Sequence, residues 1–260
     1  MYNFASVYIV LIVKKIMKTL VIIPSRLSAQ RLPGKPLMKI KGLSIISHVF
    51  KKAEEANIGE VIVAAEDQEI VDDVKQNGGQ AILTKNEHKT GTDRIYEVFQ
   101  KINSAEIDLV MNLQGDEPLI NIDDIRNLNK KMIESSSKLG TLASKIQNKA
   151  LLKNPNVVKV LTKENLNQTN FPEALNFMRD ITKEKENIYH HLGIYSYNKD
   201  TLEKFVSLNQ SPSEIKNKLE QLRALDNDIK INVAFANFNP IGVDTVEDLK
   251  AVKKIMENKS

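Results

Sequence analysis

The chain has 260 residues, of which 42% are hydrophobic and 27% charged, and its 37 basic and 33 acidic side chains leave a formal charge of +4. This composition is typical of a globular protein and excludes collagen-like, low-complexity and largely disordered classes. The absence of cysteine excludes disulfides, thiolate metal sites and a cysteine nucleophile, and the small basic surplus does not predict binding to nucleic acid.

The first sixteen residues differ from the rest of the sequence. Residues 1–13 carry no charge and end in an apolar run that two lysines follow. The run is shorter than the roughly 20 apolar residues of a spanning helix, and it lacks the flanking features of a secretory signal. We therefore predict that residues 1–16 are an extension outside the core and that residues 17–260 form a single domain. A cytoplasmic location without stable membrane association is expected; a membrane anchor is the alternative.

From Lys18 onward, strand-like apolar runs alternate with helical patterns. The runs that predict buried strands are residues 20–23, 61–65, 81–83 and 109–113. Helical patterns lie between them at residues 43–56, 67–76 and 91–103. Strands separated by helices of this length imply βαβ units and a parallel sheet. Ligands bind beyond the carboxyl ends of such strands, where the sequence places three segments: the loop after Ile23, residues 65–67 and residues 114–116.

After about Asn121 the sequence mixes strand and helix patterns. Strand-like runs at residues 157–161 and 193–197 precede a final helical pattern at residues 246–258. No repeat or linker divides the chain. We predict one α/β domain with a mostly parallel sheet, flanked by helices, and an inserted β-rich region.

The loop after the first predicted strand has the composition of a phosphate-binding segment. It carries Arg26, Arg31 and Lys35 and ends in the rigid tail Pro33-Gly34-Lys35-Pro36. Two guanidinium groups and one ammonium can bind a triphosphate. The segment has neither Walker A nor G-x-G-x-x-G spacing. A basic surface loop without a ligand is the alternative, and the position of the loop after a buried strand argues against it.

Six further motifs follow this loop along the chain. They are residues 88–94 (HKTGTDR), 114–118 (QGDEP), 154–160 (NPNVVKV), 191–195 (HLGIY), 219–223 (LEQLR) and 242–245 (GVDT). Together with Ser25-Arg26 and residues 31–37 (RLPGKPL), they resemble the sugar-activating nucleotidyltransferases, and more narrowly the 3-deoxy-manno-octulosonate cytidylyltransferase (CMP-Kdo synthetase) family. The resemblance implies a Rossmann-like nucleotidyltransferase fold whose inserted region serves dimerisation and acceptor binding.

The activity implied by this resemblance is the transfer of CMP from CTP to the anomeric hydroxyl of 3-deoxy-manno-octulosonate (Kdo), with release of pyrophosphate, for lipopolysaccharide biosynthesis. The resemblance also implies a homodimer whose partners are CTP and Kdo and not nucleic acid. Two alternatives stay open. One is another sugar-acid nucleotidyltransferase, such as a CMP-sialate synthetase, although residues 114–118 and 191–195 favour Kdo. The other is a catalytically inactive nucleotide-binding homologue.

The resemblance also assigns roles to individual residues. It implies a catalytic set in which Arg26, Arg31 and Lys35 hold the triphosphate, while Asp116 and Asp244 hold Mg²⁺, an ion that takes one or two carboxylates and substrate oxygens. Without the resemblance, each aspartate could equally cap a turn or helix. The residues assigned to nucleotide binding beside the cations are Ala65, His88, Gly91 and Thr92. Those assigned to the acceptor are Gln114, Arg179, His191, Tyr195, Glu220 and Gln221.

This sequence departs from the family pattern at three places. Ala65 and Thr90 stand where threonine and serine are usual, so the preference for cytosine rests on the resemblance alone. Asn176-Phe177-Met178-Arg179 replaces a Tyr-Phe-Ser-Arg pattern. The motif support for an acceptor role is therefore smallest at Arg179.

Overall fold

The fold is built on a sheet of nine strands that is flanked by helices. The computed structural model describes residues 17–28, 31–102, 104–181, 186–239 and 241–258. The prediction made for residues 1–16 lies outside these described residues. Within the described ranges, no helix has the length and apolar character needed to cross a membrane.

The elements follow the chain in an alternating pattern. The strands are β1 (Thr19–Ser25), β2 (Lys39–Ile40), β3 (Leu43–Ser44), β4 (Gly59–Ala65), β5 (Ala81–Leu83), β6 (Leu109–Asn112), β7 (Leu139–Ser144), β8 (Lys159–Thr162), β9 (Ala174–Met178), β10 (Ile188–Asn198) and β11 (Asn232–Phe235). The helices are α1 (Ile45–Ala56), α2 (Gln68–Gln76), α3 (Gly91–Lys101), α4 (Ile122–Ser135), α5 (Lys199–Ser207), α6 (Pro212–Asn217), α7 (Leu222–Asp226) and α8 (Val246–Glu257). Short 3₁₀ turns occupy Lys35–Leu37, Ser104–Glu106 and Lys149–Lys153.

The main sheet has a parallel half and an antiparallel half. The main path of the sheet is β11-β7-β10-β6-β1-β4-β5. Strands β1, β4, β5 and β6 are mutually parallel, which confirms the predicted βαβ half. Strand β10 runs antiparallel to β6 and β7, and it also pairs with β8, which in turn pairs with β9. These last strands form the predicted β-rich insertion.

The centre of the sheet is apolar on both faces. Along β1, Val21 and Ile23 belong to one buried cluster, whereas Leu20 and Ile22 belong to the cluster on the other side. Alternate side chains of a strand point to opposite faces, so a continuous run of branched residues fits a strand that helices cover twice. Both clusters include fully buried residues of β1, so the loop with Arg26, Arg31 and Lys35 follows a strand that is packed on both faces.

Several predicted boundaries differ from the structure. The helix predicted from Leu43 begins at Ile45, because Leu43–Ser44 pairs with β2 and the Ser44 hydroxyl caps α1 by accepting from the Ser47 amide. The strand predicted at residues 157–161 is shifted to Lys159–Thr162, and the strand predicted at 193–197 extends over Ile188–Asn198. Helices α4 to α6 and strands β7, β9 and β11 were not individually predicted, because their patterns mix polar and apolar residues.

A buried ion pair fixes the two short helices α6 and α7. The Glu214 carboxylate accepts hydrogen bonds from Nε and Nη2 of Arg223 at 2.8 and 2.6 Å, and both side chains are almost fully buried. Glu214 also completes a capping box with Ser211 at the start of α6. The Arg223 guanidinium lies 4.7 Å from the centre of the Phe205 ring. These contacts hold the segment between the helices, which contains Glu220 and Gln221.

We expect Glu214→Gln to lower the free energy of unfolding by about 3 kcal/mol, because the buried Arg223 guanidinium loses its charged partner. Urea unfolding followed by circular dichroism measures the change. The matched control is Glu203→Gln on α5, whose side chain is exposed and whose change should cost little. Equal losses in the two variants would contradict a special role for the buried pair.

Candidate active site

A cavity of about 470 Å³ opens at the carboxyl edge of the parallel strands. Its wall contains the loop after β1 with Arg26, Arg31 and Lys35, and the turn after β6 at residues 114–116. The start of α3 and Asp244 complete the wall. The structure therefore brings together all five residues of the predicted catalytic set, which lie in three distant parts of the sequence.

The centre of this site is an ammonium group between two carboxylates. Lys35 Nζ donates to Asp116 Oδ2 at 2.6 Å and to Asp244 Oδ1 at 3.1 Å. Arg31 Nη2 donates to the other oxygen of Asp244, Oδ2, at 2.8 Å. The lysine is almost completely buried, whereas both aspartates keep part of their surface exposed to the cavity. Two positive and two negative groups thus neutralise one another at the end of the sheet.

The lysine stays charged in this position. Burial alone lowers the pKa of the Lys35 ammonium, because a poorly solvated charge is disfavoured. The negative charges of Asp116 and Asp244 and their hydrogen bonds outweigh that effect and raise its pKa above the usual value. Lys35 is therefore a permanent cation on the cavity wall.

The loop that carries these cations is shaped by its own backbone. The Gly34 amide donates to the Leu27 carbonyl at 3.1 Å, and the Lys35 amide donates to the Leu32 carbonyl at 3.2 Å. Gly34 has a φ of +72°, a left-handed conformation that glycine adopts at the least cost. This turn directs the Lys35 side chain inward. Arg26, at the first position after β1, is exposed on the same cavity.

Helix capping does not account for Asp244. Thr245 is the N-cap of α8 and forms a capping box with Asp248, so the side chain of Asp244 is free to face Lys35 and Arg31. The Val243 amide donates to the Asp116 carbonyl at 2.9 Å. This backbone contact holds the two aspartates beside each other.

Glu117 is an acidic residue beside the two aspartates that sequence reasoning did not assign to the site. Burial raises the pKa of its carboxyl to about 8, the nearby charges of Asp116 and Asp244 act in the same direction, and Lys35 opposes them. Its Oε2 atom is buried and has no hydrogen-bond partner among the described residues. The signal available in the sequence was its position directly after Asp116.

Residues 88–91, which include His88 and the start of α3, form another part of the cavity wall. His88 lines the cavity, and its Nε2 is hydrogen-bonded to Glu97. Burial acts to raise the pKa of Glu97, but hydrogen bonds from Lys101 and His88 lower it to about 2. Because this carboxylate only accepts hydrogen bonds, it holds the His88 ring by a donating Nε2–H. Gly91, the first residue of α3, lies on the same wall.

Two of the predicted nucleotide-binding residues contribute no side chain to the cavity. Ala65 is fully buried in the core at the end of β4, and its carbonyl accepts from the Thr84 amide at 2.7 Å. Thr92 is also buried, and its hydroxyl lies near the Glu220 carboxyl. The turn at residues 65–67 connects two parts of the cavity wall. Glu66 pairs with Arg94 of α3, and Asp67 accepts from the Leu27 amide in the loop after β1.

The predicted acceptor residues divide into two groups. Gln114 lines the cavity, and its Nε2 donates to the Gly193 carbonyl at 2.9 Å. The other five residues are not part of the cavity wall: Arg179, His191 and Tyr195 lie on or directly after β9 and β10, and Glu220 and Gln221 lie between α6 and α7. Glu220 connects the two groups, because its carboxyl lies near the hydroxyls of Thr90 and Thr92 at the start of α3.

Burial shifts the pKa values of the buried groups on the acceptor side toward their uncharged forms. Burial, with a smaller effect of His190, lowers the pKa of His191 to about 3, and the ring nitrogen Nε2 lies 3.0 Å from the Thr141 hydroxyl. Burial raises the pKa of Tyr195, and the neighbouring Tyr197 and Glu220 add to this effect. Burial also raises the pKa of Glu220, against its hydrogen bonds from Thr92 and Thr90.

The structure places the Arg179 side chain on the protein backbone. Its Nε, Nη1 and Nη2 atoms each donate to a backbone carbonyl, those of Asn217, Pro155 and Lys218, at 3.0 to 3.1 Å. The guanidinium is thus anchored on the protein backbone. The altered sequence before Arg179 was the signal for this departure.

Comparisons with known proteins agree with this geometry. Residues 20–231 match the family described as Cytidylyltransferase. The 3-deoxy-manno-octulosonate cytidylyltransferase of Rhodopseudomonas palustris (strain BisB18) is 42% identical over 244 residues, which cover 92% of this chain and 98% of that protein. The chain belongs to the 3-deoxy-manno-octulosonate cytidylyltransferase family.

Solved structures support the same assignment. A structure of CMP:2-keto-3-deoxy-manno-octonic acid synthetase complexed with CTP has a TM-score of 0.85 and 35% identity to this cytidylyltransferase, and it covers 94% of this chain and 100% of its own. The 4-diphosphocytidyl-2C-methyl-D-erythritol synthase of Anaerococcus prevotii, at a TM-score of 0.63 and 13% identity, shares the fold. The predicted family and the predicted Rossmann-like α/β fold are confirmed.

The pair of aspartates in this cytidylyltransferase fits a magnesium ion that needs substrate to complete its shell. The Lys35 ammonium touches an oxygen of each carboxylate, so a single cation between Asp116 and Asp244 is compatible with their positions. Among the described residues, no group of three or more histidine or acidic side chains forms a ready-made metal cage. Two carboxylates, with water and phosphate oxygens, are the usual protein share of a Mg²⁺ site.

The neutral His191 should make this cytidylyltransferase sensitive to acid. Its folded-state pKa of about 3 lies below the unfolded value of about 6.5, so the unfolded chain binds the extra proton as pH falls. Stability is then lost below about pH 6.5, by roughly 3 kcal/mol at pH 4.5. We expect the free energy of unfolding of His191→Gln to fall less steeply with acid in urea titrations. His48→Gln on α1 is the control, and parallel pH profiles for wild type and His191→Gln would contradict the prediction.

Proposed function

We propose that this protein transfers CMP from CTP to the anomeric hydroxyl of Kdo and releases pyrophosphate. The observation that carries the proposal is the cluster in which Lys35 bridges Asp116 and Asp244 while Arg31 pairs with Asp244. This cluster lies in a cavity at the carboxyl edge of a parallel sheet, where nucleotides bind in such folds. The names of the relatives supply the acceptor.

The triphosphate binds at the basic end of the cavity. Arg26, Arg31 and Lys35 lie on the loop after β1 and line the same space. Guanidinium groups form paired hydrogen bonds with phosphate oxygens, and an ammonium supplies a compact charge. The same cations stabilise the negative charge that collects on the departing pyrophosphate. The base then lies toward His88 and Gly91, on the other wall of the cavity.

The reaction is an in-line substitution at the α-phosphorus. The anomeric oxygen of Kdo forms a bond to phosphorus and loses its proton, while the bond from phosphorus to the bridging oxygen of pyrophosphate breaks and leaves its electron pair on pyrophosphate. Catalysis of this kind depends on positioning and charge neutralisation. Asp116 and Asp244 would hold Mg²⁺, which when bound polarises the phosphoryl group and lowers the pKa of the attacking hydroxyl.

The cations and the carboxylates exchange partners on binding. Without ligands, Lys35 and Arg31 occupy the oxygen atoms of Asp116 and Asp244. A triphosphate competes for these cations, and the released carboxylates become available to the metal. Binding of CTP therefore strengthens binding of the metal, and by linkage the metal strengthens binding of CTP to the same extent.

The acceptor binds beside the nucleotide on the side of the inserted region. Gln114 contributes to the cavity wall, and we assign the remaining contacts to His191, Tyr195, Glu220 and Gln221. Their groups are neutral or hydrogen-bonded, which suits a hydroxyl-rich sugar. The Glu220 carboxyl reaches the start of α3, so the acceptor and nucleotide sites share a wall.

We also propose that the enzyme is a cytoplasmic homodimer whose product serves lipopolysaccharide synthesis. The cytoplasmic location follows from the supply of CTP. The dimer would form through the inserted region, where β9 pairs only with β8 among the described strands and Leu175 exposes about half of its side chain. Such an edge strand needs a cover.

The direct test of the function is pyrophosphate release with a matrix of substrates. CTP, UTP, ATP and GTP are each combined with Kdo, sialic acid or no acceptor, in the presence of Mg²⁺. We expect release with CTP and Kdo, and the product CMP-Kdo in mass spectra. Turnover with sialic acid in place of Kdo would identify a different sugar-acid nucleotidyltransferase, and CTP binding without turnover would identify an inactive homologue.

We expect Asp116→Asn and Asp244→Asn to lower kcat by on the order of 10³-fold, because the charge contributed by a bound metal is worth several kcal/mol in such reactions. Mn²⁺ binding, followed by electron paramagnetic resonance, should be tighter with CTP than without it in the wild type and weak in both variants. Asp228→Asn is the control, because that residue is exposed and has the left-handed φ of 56° that asparagine tolerates. Unchanged turnover in either variant would remove that residue from the metal site.

A further inference from the structure

A buried lysine lies in a motif that the reaction does not use. Lys159, in the segment of residues 154–160, has no exposed surface. Its Nζ donates to the carbonyl of Asn154 at 2.8 Å and to the carbonyl of Arg179 at 2.5 Å. The buried ammonium thus joins the turn before β8 to the end of β9.

Arg179 extends this connection to a third segment. Its guanidinium donates to the Pro155 carbonyl on one side and to the carbonyls of Asn217 and Lys218 on the other. Lys159 and Arg179 together therefore tie three separate parts of the chain: the turn at residues 154–155, the end of β9 and the turn at residues 217–218. We call this set of five hydrogen bonds the Lys159–Arg179 clamp.

The clamp ends next to the proposed acceptor residues. The turn that it holds, at residues 217–218, is followed after one residue by Glu220 and Gln221. The Glu220 carboxyl lies near the hydroxyls of Thr90 and Thr92, and Thr90 lines the nucleotide cavity. The position of the turn therefore sets how these two side chains meet the nucleotide site.

The same strands also position His191. Its amide donates to the Val158 carbonyl at 3.0 Å, directly before Lys159. Its ring packs edge-on against Phe177, two residues before Arg179, with 4.9 Å between the ring centres. A shift of β8 against β9 would move the His191 ring as well.

Burial of an ammonium without a carboxylate partner is costly, and burial lowers the pKa of Lys159, with Asp180 acting against it and Arg179 with it. A long apolar side chain would fill the same space without that cost. A lysine here is therefore explained better by the carbonyls that it aligns than by packing. Carbonyl acceptors on two segments specify a geometry that an apolar contact does not.

We propose that Lys159 and Arg179 are positioning residues that set the affinity for the acceptor without touching it, by holding the turn before Glu220 and Gln221 against the nucleotide cavity. This inference rests on the proposed function for the identity of the acceptor. It gives Arg179 a role different from the direct acceptor contact that the family resemblance implies.

The test compares Lys159→Met and Arg179→Gln with the control Lys163→Met, which alters an exposed lysine just beyond β8. We expect each clamp variant to raise the KM for Kdo by about tenfold, a change that corresponds to about 1.4 kcal/mol. The Kd of CTP from calorimetry should stay within about twofold of the wild type. The double variant should lose little more than either single variant, because both residues serve one unit.

A second measurement needs no acceptor. Hydrogen exchange of the Leu219 and Arg223 amides, which bond to the carbonyls of Glu214 and Glu220, should be faster in Arg179→Gln than in wild type with no Kdo present. A direct acceptor contact predicts no change in exchange, and that result would overturn the proposal. Parallel losses of CTP and Kdo affinity, or an unchanged KM for Kdo, would also overturn it.

These readouts separate the proposal from the proposed function. If the wild type binds CTP but does not use Kdo, the function fails, and the exchange data alone still decide whether the clamp orders the turn. If Lys159→Met does not fold, as shown by lost CTP binding, Arg179→Gln decides both measurements, because its guanidinium lies at the surface.

Discussion

The structure of this site depends on the pairing of opposite charges at the end of a hydrophobic sheet. Lys35 is buried, and burial of an ammonium is costly unless the group is paired or hydrogen-bonded. Asp116 and Asp244 provide that charge. The pairing balances the charges of the four side chains, so an anion that binds Lys35 and Arg31 has to compete with the two carboxylates.

The two sides of the site use different physical chemistry. On the nucleotide side, exposed or paired charges face a triphosphate, for which Coulomb attraction is the main source of affinity. On the acceptor side, burial keeps His191 neutral and raises the pKa of Glu220. In the function that we propose, a sugar that offers many hydroxyls and one carboxylate is recognised there by hydrogen-bond geometry. Precise placement of the wall then matters more on this side, and we propose that the Lys159–Arg179 clamp supplies it.

Local sequence patterns predicted the parallel half of the sheet and the basic loop after β1. Branched apolar runs identified β1, β4, β5 and β6, because strands buried on both faces require continuous hydrophobicity. The position of Arg26, Arg31 and Lys35 after the first strand placed them at the ligand edge. The inserted region was less accessible, because strands such as β7 contain glycine and small polar residues and their pairing is long-range.

The sequence by itself therefore determined the parallel sheet, the basic loop and the order of the family motifs, since each depends on residues close together in the chain. Only the tertiary structure decided which distant groups meet. It brought Asp244 to Lys35, removed Ala65 and Thr92 from the cavity wall, and directed Arg179 to backbone carbonyls. The physical reason is that the partner of a polar side chain is set by strand order and register, which local periodicity does not encode.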